Sequence, residues 1–559
     1  MPGGILNLVS QGNQNIYLNG NPTKTFFKTK FARYTNFGLQ KFRIDFEGSR
    51  SLRSTEDSIF HFKIPRYADL LMDTYIVVNL PHIWSPIYPP QNINGQWVPY
   101  EFKWINDIGT EIIKEVTIVC GGQLLHKFSG SYLKNMVDRD FNNDKKELFY
   151  NMTGNNKDLN DPANSGSRIN SYPSAFFIDT ENGAQPSINA RKLYIPINTW
   201  FTMSSKTALP LVALQYNEIT ISVTFRPIFE LYTLRDVKDI TNNFPYVQPN
   251  FNNDYMQIYN FLQTPPSVEL NTSDFTDKRN EWNGDVHLIA TYGFLSDEEA
   301  RIFALNEQRY LIKEVHEHKF YNVTGSTKVK IDSLGMVSNW MFYLQRNDIN
   351  LRNEWSNYTN WPYNYIPYDI TNADINGNYK YNNFIGKQDF EQQFENGFGP
   401  GINPSGFSSN ITITGEYNPS NRKEILNKCG IQLDGNYREN MLDEGVYKYI
   451  EKYARNNSNS DNGLFCYNFS LNSNPYELQP SGALNLSKFK NIELEIITHV
   501  PTLDPKAQFY TICDENGNVI GINKTSWVIF DYNYDLTVFE ERYNILSFAS
   551  GNCGLMYSR

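Results

Sequence analysis

Residues 219–223, ITISV, and residues 492–496, IELEI, decide the fold class of this chain. In both stretches apolar residues alternate with polar ones, so successive side chains point to opposite faces. This period of two is typical of a β-strand with one face on a core and the other on solvent or a partner. Such strands usually belong to antiparallel sheets, because strands of parallel sheets are buried on both faces. The pair therefore predicts a β domain in each half of the chain.

The similarity between the halves extends to four pairs of segments in the same order. These pair residues 62–64 with 329–331, 120–124 with 429–433, 216–223 with 489–496, and 288–292 with 528–532. A helix-like stretch follows the second pair in each half, at 130–140 and 436–447. Because the order is kept throughout, the sequence predicts an internal duplication.

Changes in spacing between the pairs place long loops at 142–190 and 232–284 in the first half and at 345–423 in the second. Loops of this length are uncommon unless they are functional. Ser296 and Glu299 have capping-box spacing, which predicts a short linker helix between the halves. The predicted fold is all-β, with two tandem eight-stranded antiparallel jelly rolls that close off their strand edges. We expect an N-terminal arm at 1–24, a first jelly roll at 25–295, a linker helix at 296–308 and a second jelly roll at 309–559.

Composition limits the function. The chain has 559 residues, a formal net charge of -10 and a pI of about 5.4, so we expect no direct nucleic-acid partner. One segment near the start is nevertheless basic, with Lys24, Lys28, Lys30, Arg33, Lys41, Arg43, Arg50 and Arg53. This segment fits a solvated or intersubunit face, or a contact with an acidic layer such as lipid headgroups or another protein.

The cysteines and the N-terminus indicate the compartment. The five cysteines are Cys120, Cys429, Cys466, Cys513 and Cys553, and no two have C-x-x-C spacing. An odd number without metal-ligand spacing favours reduced thiols in a cytosolic setting. The first residues lack the basic region and apolar run of a signal peptide, so we do not expect secretory glycosylation.

A search for catalytic motifs predicts no catalytic residue, cofactor or metal. The imidazoles of His316 and His318 share a strand face, which suits either a weak metal site or ordinary polar contacts. Residues 514–518 and 369–380 are acidic but lack the spacing of a calcium loop, and residues 397–401 fit a turn. Four aromatic residues fit either the packing of a large loop or the binding of glycans: Trp355, Tyr358, Trp361 and Tyr363.

Three segments resemble the major capsid proteins of nucleocytoplasmic large DNA viruses. Residues 3–37, which include GGILNLV and IYLNGNPTKTFFK, are similar to that family's N-terminal signature. Residues 292–301, YGFLSDEEAR, resemble its inter-domain segment, and residues 543–558 resemble its C-terminal signature. The similarity therefore spans the chain, although residues 10–13 and Cys553 depart from the family pattern.

The resemblance implies a structural, non-enzymatic protein of the virion, assembled in the host cytoplasm. It implies a homotrimer with six jelly rolls, which forms a pseudo-hexameric capsomer of an icosahedral shell. The expected partners are neighbouring capsomers, with minor capsid proteins or an internal membrane beneath the shell. The long loops would form an outer tower that can contact host glycans or a receptor.

Three other functions stay open on the sequence. A minor or penton-associated paralogue would share the fold and differ in its position in the shell. A hydrolytic tandem jelly-roll protein would need convergent carboxylates in a pocket. A glycan-binding module would use exposed aromatic residues on the long loops.

Overall fold

The computed structural model describes residues 2–48, 51–88, 98–168, 171–175, 184–238, 246–265, 275–362, 422–460, 463–501, 510–513, 517, 519–523 and 531–557. Strands dominate both halves. Those of the first half are β1 (Phe37–Ile44), β2 (Ser58–Lys63), β3 (Leu70–Leu80), β4 (Ile87–Tyr88), β5 (Val98–Pro99), β6 (Phe102–Trp104), β7 (Ile113–Cys120), β8 (Gln123–Phe128), β9 (Arg191–Pro196), β10 (Leu209–Pro210), β11 (Ile219–Phe225), β12 (Tyr232–Arg235), β13 (Tyr246–Val247) and β14 (His287–Leu295). Those of the second half are β15 (Gln308–Phe320), β16 (Ser326–Lys330), β17 (Met336–Arg346), β18 (Leu426–Leu433), β19 (Asn436–Asp443), β20 (Leu464–Asn468), β21 (Leu484–Asn485), β22 (Ile492–Thr498), β23 (Tyr510–Cys513), β24 (Val519–Asn523), β25 (Tyr534–Ala549) and β26 (Asn552–Leu555).

Helices are short and lie between the strands. The α-helices are α1 (Gly3–Val9), α2 (Ile16–Asn19), α3 (Ile108–Glu111), α4 (Gly130–Asp140), α5 (Asn143–Thr153), α6 (Lys157–Asn160), α7 (Trp200–Met203), α8 (Asp297–Leu305) and α9 (Glu451–Arg455). A π-helical turn, Val446–Ile450, runs directly into α9. Single 3₁₀ turns occupy Asn13–Asn15, Pro162–Asn164, Ser205–Thr207, Leu211–Ala213, Ile228–Glu230, Asp254–Met256, Ile258–Asn260, Ile349–Leu351 and Leu486–Lys488.

The two halves have the same sheet topology. In the first half, one sheet runs β1-β14-β3, with β9 and β10 on successive parts of β3, and the other runs β2-β11-β7-β8. In the second half, one sheet runs β15-β25-β17, with β20 and β21 on successive parts of β17, and the other runs β16-β22-β18-β19. All these pairings are antiparallel. The predicted fold of two tandem eight-stranded jelly rolls is therefore confirmed, and so is the internal duplication.

The two stretches that decided the fold class are equivalent central strands. β11 and β22 both alternate between buried and half-buried residues, as the sequence predicts. Phe62 pairs with Ile221 in the first half, and Val329 pairs with Leu494 in the second. The first and third pairs of segments are thus aligned correctly. Their buried side chains belong to a core in each jelly roll, where most of the apolar stabilisation arises.

The second pair of segments is misaligned by four residues. Cys120 pairs with Ile219, whereas the residue opposite the equivalent Ile492 is Leu433 rather than Cys429. The β7–β8 turn is Gly121-Gly122 and the β18–β19 turn is Asp434-Gly435, and all four residues have positive φ. The turns are therefore equivalent in backbone conformation, although only Gly435 repeats the glycine of the first turn.

Two further predictions on the duplication are wrong. The stretch 130–140 is helical, as α4, but 436–447 forms β19 and only the start of the π-helical turn. The helix of the second half begins later because β19 is two residues longer than β8. In the fourth pair, the equivalent of β14 is β25, which begins only at Tyr534, and residues 528–530 lie outside the described residues.

The inserted segments leave the same end of the jelly rolls. Leu80 at the end of β3 pairs with Arg191 at the start of β9, so the insertions before β9 and after β3 lie together. In the second half, Arg346 at the end of β17 pairs with Tyr534 at the start of β25. Asn353 in the second half donates to the carbonyl of Tyr232 in the first, at 2.9 Å, which joins these segments. We call this the insertion end.

The opposite end, which we call the turn end, carries the termini and the linker. Phe37 at the start of β1 pairs with Leu295 at the end of β14, so the N-terminal arm and α8 leave from here. The turn Gly121-Gly122 and the C-terminal strand β26 lie at the same end. The two ends of the molecule therefore differ. The long insertions leave from one end, and both terminal segments lie at the other.

Three local predictions have mixed outcomes. α8 begins at Asp297 as expected, but the Ser296 side chain makes no capping hydrogen bond. The described parts of the segments 142–190 and 232–284 contain α5, α6, β12 and β13, and their apolar residues pack on the first core. Residues 363–421 of the third segment lie outside the described residues.

The prediction of reduced thiols is wrong for one pair of cysteines. A disulfide joins Cys120 at the turn end of the first jelly roll to Cys553 in β26, and the Cα atoms are 6.9 Å apart. The two residues are 433 positions apart in sequence, so only the fold brings them together. Cys429 and Cys466 are free and buried.

A close backbone contact fixes the position of α4. A Cβ added at Gly130 would lie 1.9 Å from the Thr110 carbonyl oxygen and 2.5 Å from that of Ile113. We expect Gly130→Ala to force the backbone apart and to destabilise the protein by about 1–3 kcal/mol. At the control site Gly38, a Cβ would meet only Phe294 Cβ at 3.9 Å, so Gly38→Ala should change stability little. Thermal unfolding midpoints of the two variants test this, and equal midpoints would contradict it.

Candidate functional site

A cluster of buried charged and polar side chains lies where the two jelly rolls meet. Helix α4 of the first jelly roll, with β8 before it, packs against β15, β17 and β25 of the second. The helix begins at Ser129, whose Oγ accepts a hydrogen bond from the Tyr132 N–H at 3.3 Å. The helix then presents Tyr132, Asn135 and Arg139 to the second jelly roll. We call this region the interdomain contact.

Arg139 is the centre of the interdomain contact. Its Nη2 lies 2.7 Å from Glu541 Oε1 on β25, and its Nη1 donates to Asn339 Oδ1 on β17 at 2.8 Å. The same guanidinium binds Asp140 Oδ2 through Nη2 at 2.7 Å. Asn339 Nδ2 donates in turn to Glu541 Oε2 at 2.9 Å. One arginine of the first jelly roll therefore binds two strands of the second, with all of these side chains buried.

Neighbouring side chains extend the contact. The Tyr132 hydroxyl donates to Glu541 Oε1 at 2.9 Å, and its ring contacts Phe539 with centroids 5.5 Å apart. Asn135 Nδ2 donates to the Tyr358 hydroxyl at 3.0 Å. Tyr358 stacks on Tyr343 with centroids 4.0 Å apart. Polar and aromatic contacts thus continue the first core across the boundary into the second jelly roll.

The charges determine the ionisation of this cluster. Burial alone would raise the pKa of Glu541. The positive charges of Arg139 and Lys313 outweigh this effect and lower the pKa to about 2. Burial also raises the pKa of Asp140, and the charge of Arg139 does not fully offset this. Glu541 is therefore the carboxylate that Arg139 holds ionised. Its stabilisation is present above the ordinary pKa of 4.5 and is lost as the pH falls towards 2.

A second set of contacts joins the halves at the insertion end. The Trp355 Nε1 donates to the Glu230 carbonyl at 3.0 Å, and the Arg226 guanidinium lies 4.1 Å from the centroid of the Trp355 ring system. Gln248 Nε2 donates to Asn353 Oδ1 at 2.9 Å. The two jelly rolls are therefore fixed to each other both beside α4 and at the insertion end.

Two cavities of about 80 Å³ each lie along this boundary. One is lined by Arg139, Lys313 and Glu541, and the other by Lys103, Arg352 and Glu354. A volume of this size holds a few water molecules, since one water occupies about 30 Å³. Burial raises the pKa of Glu354 to about 7. The carboxylate of Glu541 is already bound by Arg139, so the arrangement suits structural pairing rather than proton transfer to a substrate.

The candidate metal ligands lie on β15. His316 Nε2 is 3.3 Å from Glu314 Oε2, and its Nδ1 is 3.4 Å from Arg542 Nη2. Burial lowers the pKa of His318. Across the described ranges, no group of three or more His, Cys, Asp or Glu residues is arranged to hold a metal ion. The polar contacts of His316 match the ordinary strand-face alternative.

The remaining candidates have several outcomes. Trp355 and Tyr358 pack inside the protein, as described above, rather than forming an exposed glycan platform. Residues 363, 369–380, 397–401 and 514–516 lie outside the described residues. Of the basic residues, Arg43 binds Asp285 and Arg53 binds Glu56, whereas Lys24, Lys28, Lys30 and Arg33 are exposed in the stretch before β1. No helix in the described part of the chain is long and apolar enough to cross a membrane.

Sequence reasoning did not find the interdomain contact. Arg139 and Glu541 are 402 positions apart, and neither belongs to a motif. The one signal was their setting, because Arg139 lies near the end of a predicted helix and Glu541 lies in the charged run Glu540-Glu541-Arg542, which has apolar residues on both sides. Charged residues in such positions are buried only when they are paired.

Comparisons with known proteins place the chain among viral capsid proteins. A profile described as major capsid protein N-terminus matches residues 25–263. A profile described as large eukaryotic DNA virus major capsid protein matches residues 299–554. The chain is 24% identical to the major capsid protein of Phaeocystis pouchetii virus and 23% identical to that of Paramecium bursaria Chlorella virus 1, and each alignment covers all of both chains.

Solved structures have the same fold. The crystal structure of PBCV-1 VP54 matches with a TM-score of 0.60 at 18% identity and covers 96% of this chain and 100% of that one. The Faustovirus major capsid protein matches with a TM-score of 0.59 at 11% identity and covers 98% and 96%. At sequence identities this low, the structural similarity shows a shared fold and no more.

The charge of Arg139 should be essential to the interdomain contact. We expect Arg139→Met to cost about 3–5 kcal/mol, because it leaves the buried Glu541 carboxylate without its cation. The loss should shrink below about pH 5, where Glu541 can take up a proton instead. Urea unfolding at pH 7 and pH 4.5 measures both effects.

The matched control is Arg309→Met, which removes an exposed arginine paired with Glu307 at 2.7 Å. Exposed pairs contribute about 0–1 kcal/mol, so this variant should unfold close to the wild-type midpoint. Equal losses in the two variants would show that Arg139 has no special role.

Proposed function

Because the chain belongs to the family of large eukaryotic DNA virus major capsid proteins, a structural component of an icosahedral capsid, we propose that it builds the shell as a homotrimeric, pseudo-hexameric capsomer. The observation that carries the proposal is that the chain contains two jelly rolls of the same topology, packed against each other. Three copies of such a pair supply six similar sandwiches. A threefold assembly can then fill a near-sixfold position in a lattice.

The difference between the insertion end and the turn end supports one orientation of the protein in the shell. The insertion end would face outwards as a tower, and the turn end with its arm would face inwards. Residues 2–44 contain six basic residues and no acidic one, in a chain of net charge -10. The same stretch exposes Phe26, Phe27, Phe31 and Tyr34. Exposed aromatic and basic residues together suit contact with minor capsid proteins or with an internal membrane beneath the shell.

The other partners follow from the same arrangement. Neighbouring capsomers would contact one another through the outer sides of the trimers. The tower would be the part available to host glycans or a receptor. We place the mature protein in the virion and its assembly in the host cytoplasm.

The division of the chain into functional parts belongs to this proposal. The parts are the arm at 1–24, the first jelly roll at 25–295, the linker helix at 296–308 and the second jelly roll at 309–559. Helix α8, Asp297–Leu305, lies inside the proposed linker, β1 begins at Phe37 inside the proposed first jelly roll, and β15 begins at Gln308, next to the proposed start of the second. We also propose that the chain is not an enzyme, since its relatives are structural and the Glu541 carboxylate is committed to Arg139.

The mass of the purified full-length chain tests the capsomer. Light scattering should give three times 64.9 kDa, stable on dilution, because obligate interfaces bury apolar surface that a monomer would expose. A stable monomer would contradict the homotrimer.

Deletion of residues 2–22 tests the arm. The arm makes no buried apolar contact in the described structure, so we expect the deletion to leave the trimer mass and unfolding midpoint unchanged. Lattice assembly, followed by electron microscopy, should be impaired. Normal lattices from the deleted chain would show that the arm is not an assembly element.

A further inference from the structure

The internal duplication indicates how two copies of the chain meet. We propose that residues 446–455 of one copy pack on the outer face of β1 in a neighbouring copy, and so repeat between chains the contact that α4 makes within the chain. The inference rests on the proposed capsomer, since the neighbour is a second copy of this chain, and it assigns the two faces that join them.

The template is the interdomain contact. Within the chain, β8 lies beside β15, and α4, which follows β8, packs against the sheet that contains β15 and β25. On the face of β15 that α4 covers, Val315 pairs with Glu541 and is 5% exposed. On the helix side, Tyr132, Met136 and Arg139 are buried. The strand–helix unit of one jelly roll therefore covers the first strand of the next.

The duplication supplies a second copy of each partner. By sheet order, β19 is equivalent to β8, the segment 446–455 to α4, and β1 to β15. These equivalents are uncovered. On the segment, Tyr449, Ile450 and Tyr453 are 59%, 60% and 95% exposed, and on β1, Phe37 and Leu39 are 63% and 54% exposed.

The exposed residues form matching faces. Tyr449 and Tyr453 are four residues apart, so they lie on one side of the helical segment. Phe37 and Leu39 are two residues apart, so they share the outer face of β1, while Phe42 on the other face contacts Tyr292. Apolar faces rich in aromatic residues are typical of the cores of subunit interfaces.

The contact is of a kind that can close into a ring. The two faces are different, so the contact is heterologous, and a chain of such contacts either closes into a ring or extends without limit. Each chain contributes one internal contact and one external contact of the same kind. If six contacts of one kind form a ring, three are internal and three join copies. The proposed trimer is then complete.

Cysteine crosslinking of the full-length chain tests the faces directly. The double variant Leu39→Cys and Tyr453→Cys should, on mild oxidation, give covalent dimers and trimers on a non-reducing denaturing gel and no larger species. Each single variant is the control and should give neither. Absence of crosslinks from the double variant, or equal crosslinks from the single variants, would overturn the inference.

A charge substitution provides the second test. Tyr453→Asp should lower the mass in light scattering about threefold, because it places a charge in the apolar interface. Its unfolding should show that the monomer is folded, since Tyr453 contributes little to its own core. The matched control is Leu305→Asp on α8, an exposed apolar residue at the turn end, which should keep the trimer mass.

The outcomes separate this inference from the proposed function. A wild-type trimer that persists in Tyr453→Asp and does not crosslink would overturn the assigned faces and leave the capsomer intact. A wild-type chain that is monomeric at all concentrations would overturn both.

Discussion

The structure depends on one arginine that binds across a domain boundary. Jelly rolls are complete folds, and two of them joined by a short helix could adopt many relative orientations. Arg139 restricts that freedom, because its guanidinium binds Asp140 of its own helix and also Glu541 and Asn339 of the second jelly roll. A buried charge without its partner costs several kcal/mol, whereas apolar packing tolerates small shifts. Together with the contacts at the insertion end, the pair therefore fixes the angle between the sandwiches.

Much of the fold could be predicted from the sequence because strand periodicity is a local property. The alternation at 219–223 and 492–496 places two equivalent strands, and the pairing of Phe62 with Ile221 and Val329 with Leu494 follows from the repeated blocks. The errors arose where similar sequences occupy different structural positions. Cys120 and Cys429 stand in similar pentapeptides, yet one precedes a turn and the other lies inside a strand. Structural equivalence follows the turns, and Gly121-Gly122 and Asp434-Gly435 share conformation rather than sequence.

The interdomain contact could not be predicted in the same way. Arg139, Asn339 and Glu541 come from three distant segments, and each residue alone is an ordinary charged or polar side chain. Nothing in the local sequence shows which carboxylate will face which guanidinium, since that depends on how two finished sandwiches dock. The disulfide could not be predicted for the same reason, because it too depends on how the two jelly rolls dock. Spacing rules suggested reduced cysteines, while the docking of β26 beside the first jelly roll brings Cys120 and Cys553 together.

That disulfide changes what happens when the chain is cut. Residues 142–190, 232–284 and 345–423 all lie between Cys120 and Cys553 in sequence, and they are the segments at the insertion end. A protease that nicks any of them produces two fragments that remain covalently joined through the turn end. With the insertion end facing outwards as proposed, a single cut at the surface of a particle leaves both fragments attached to the shell. In the oxidised protein, a single cleavage in any of these segments therefore leaves both halves of the chain covalently connected.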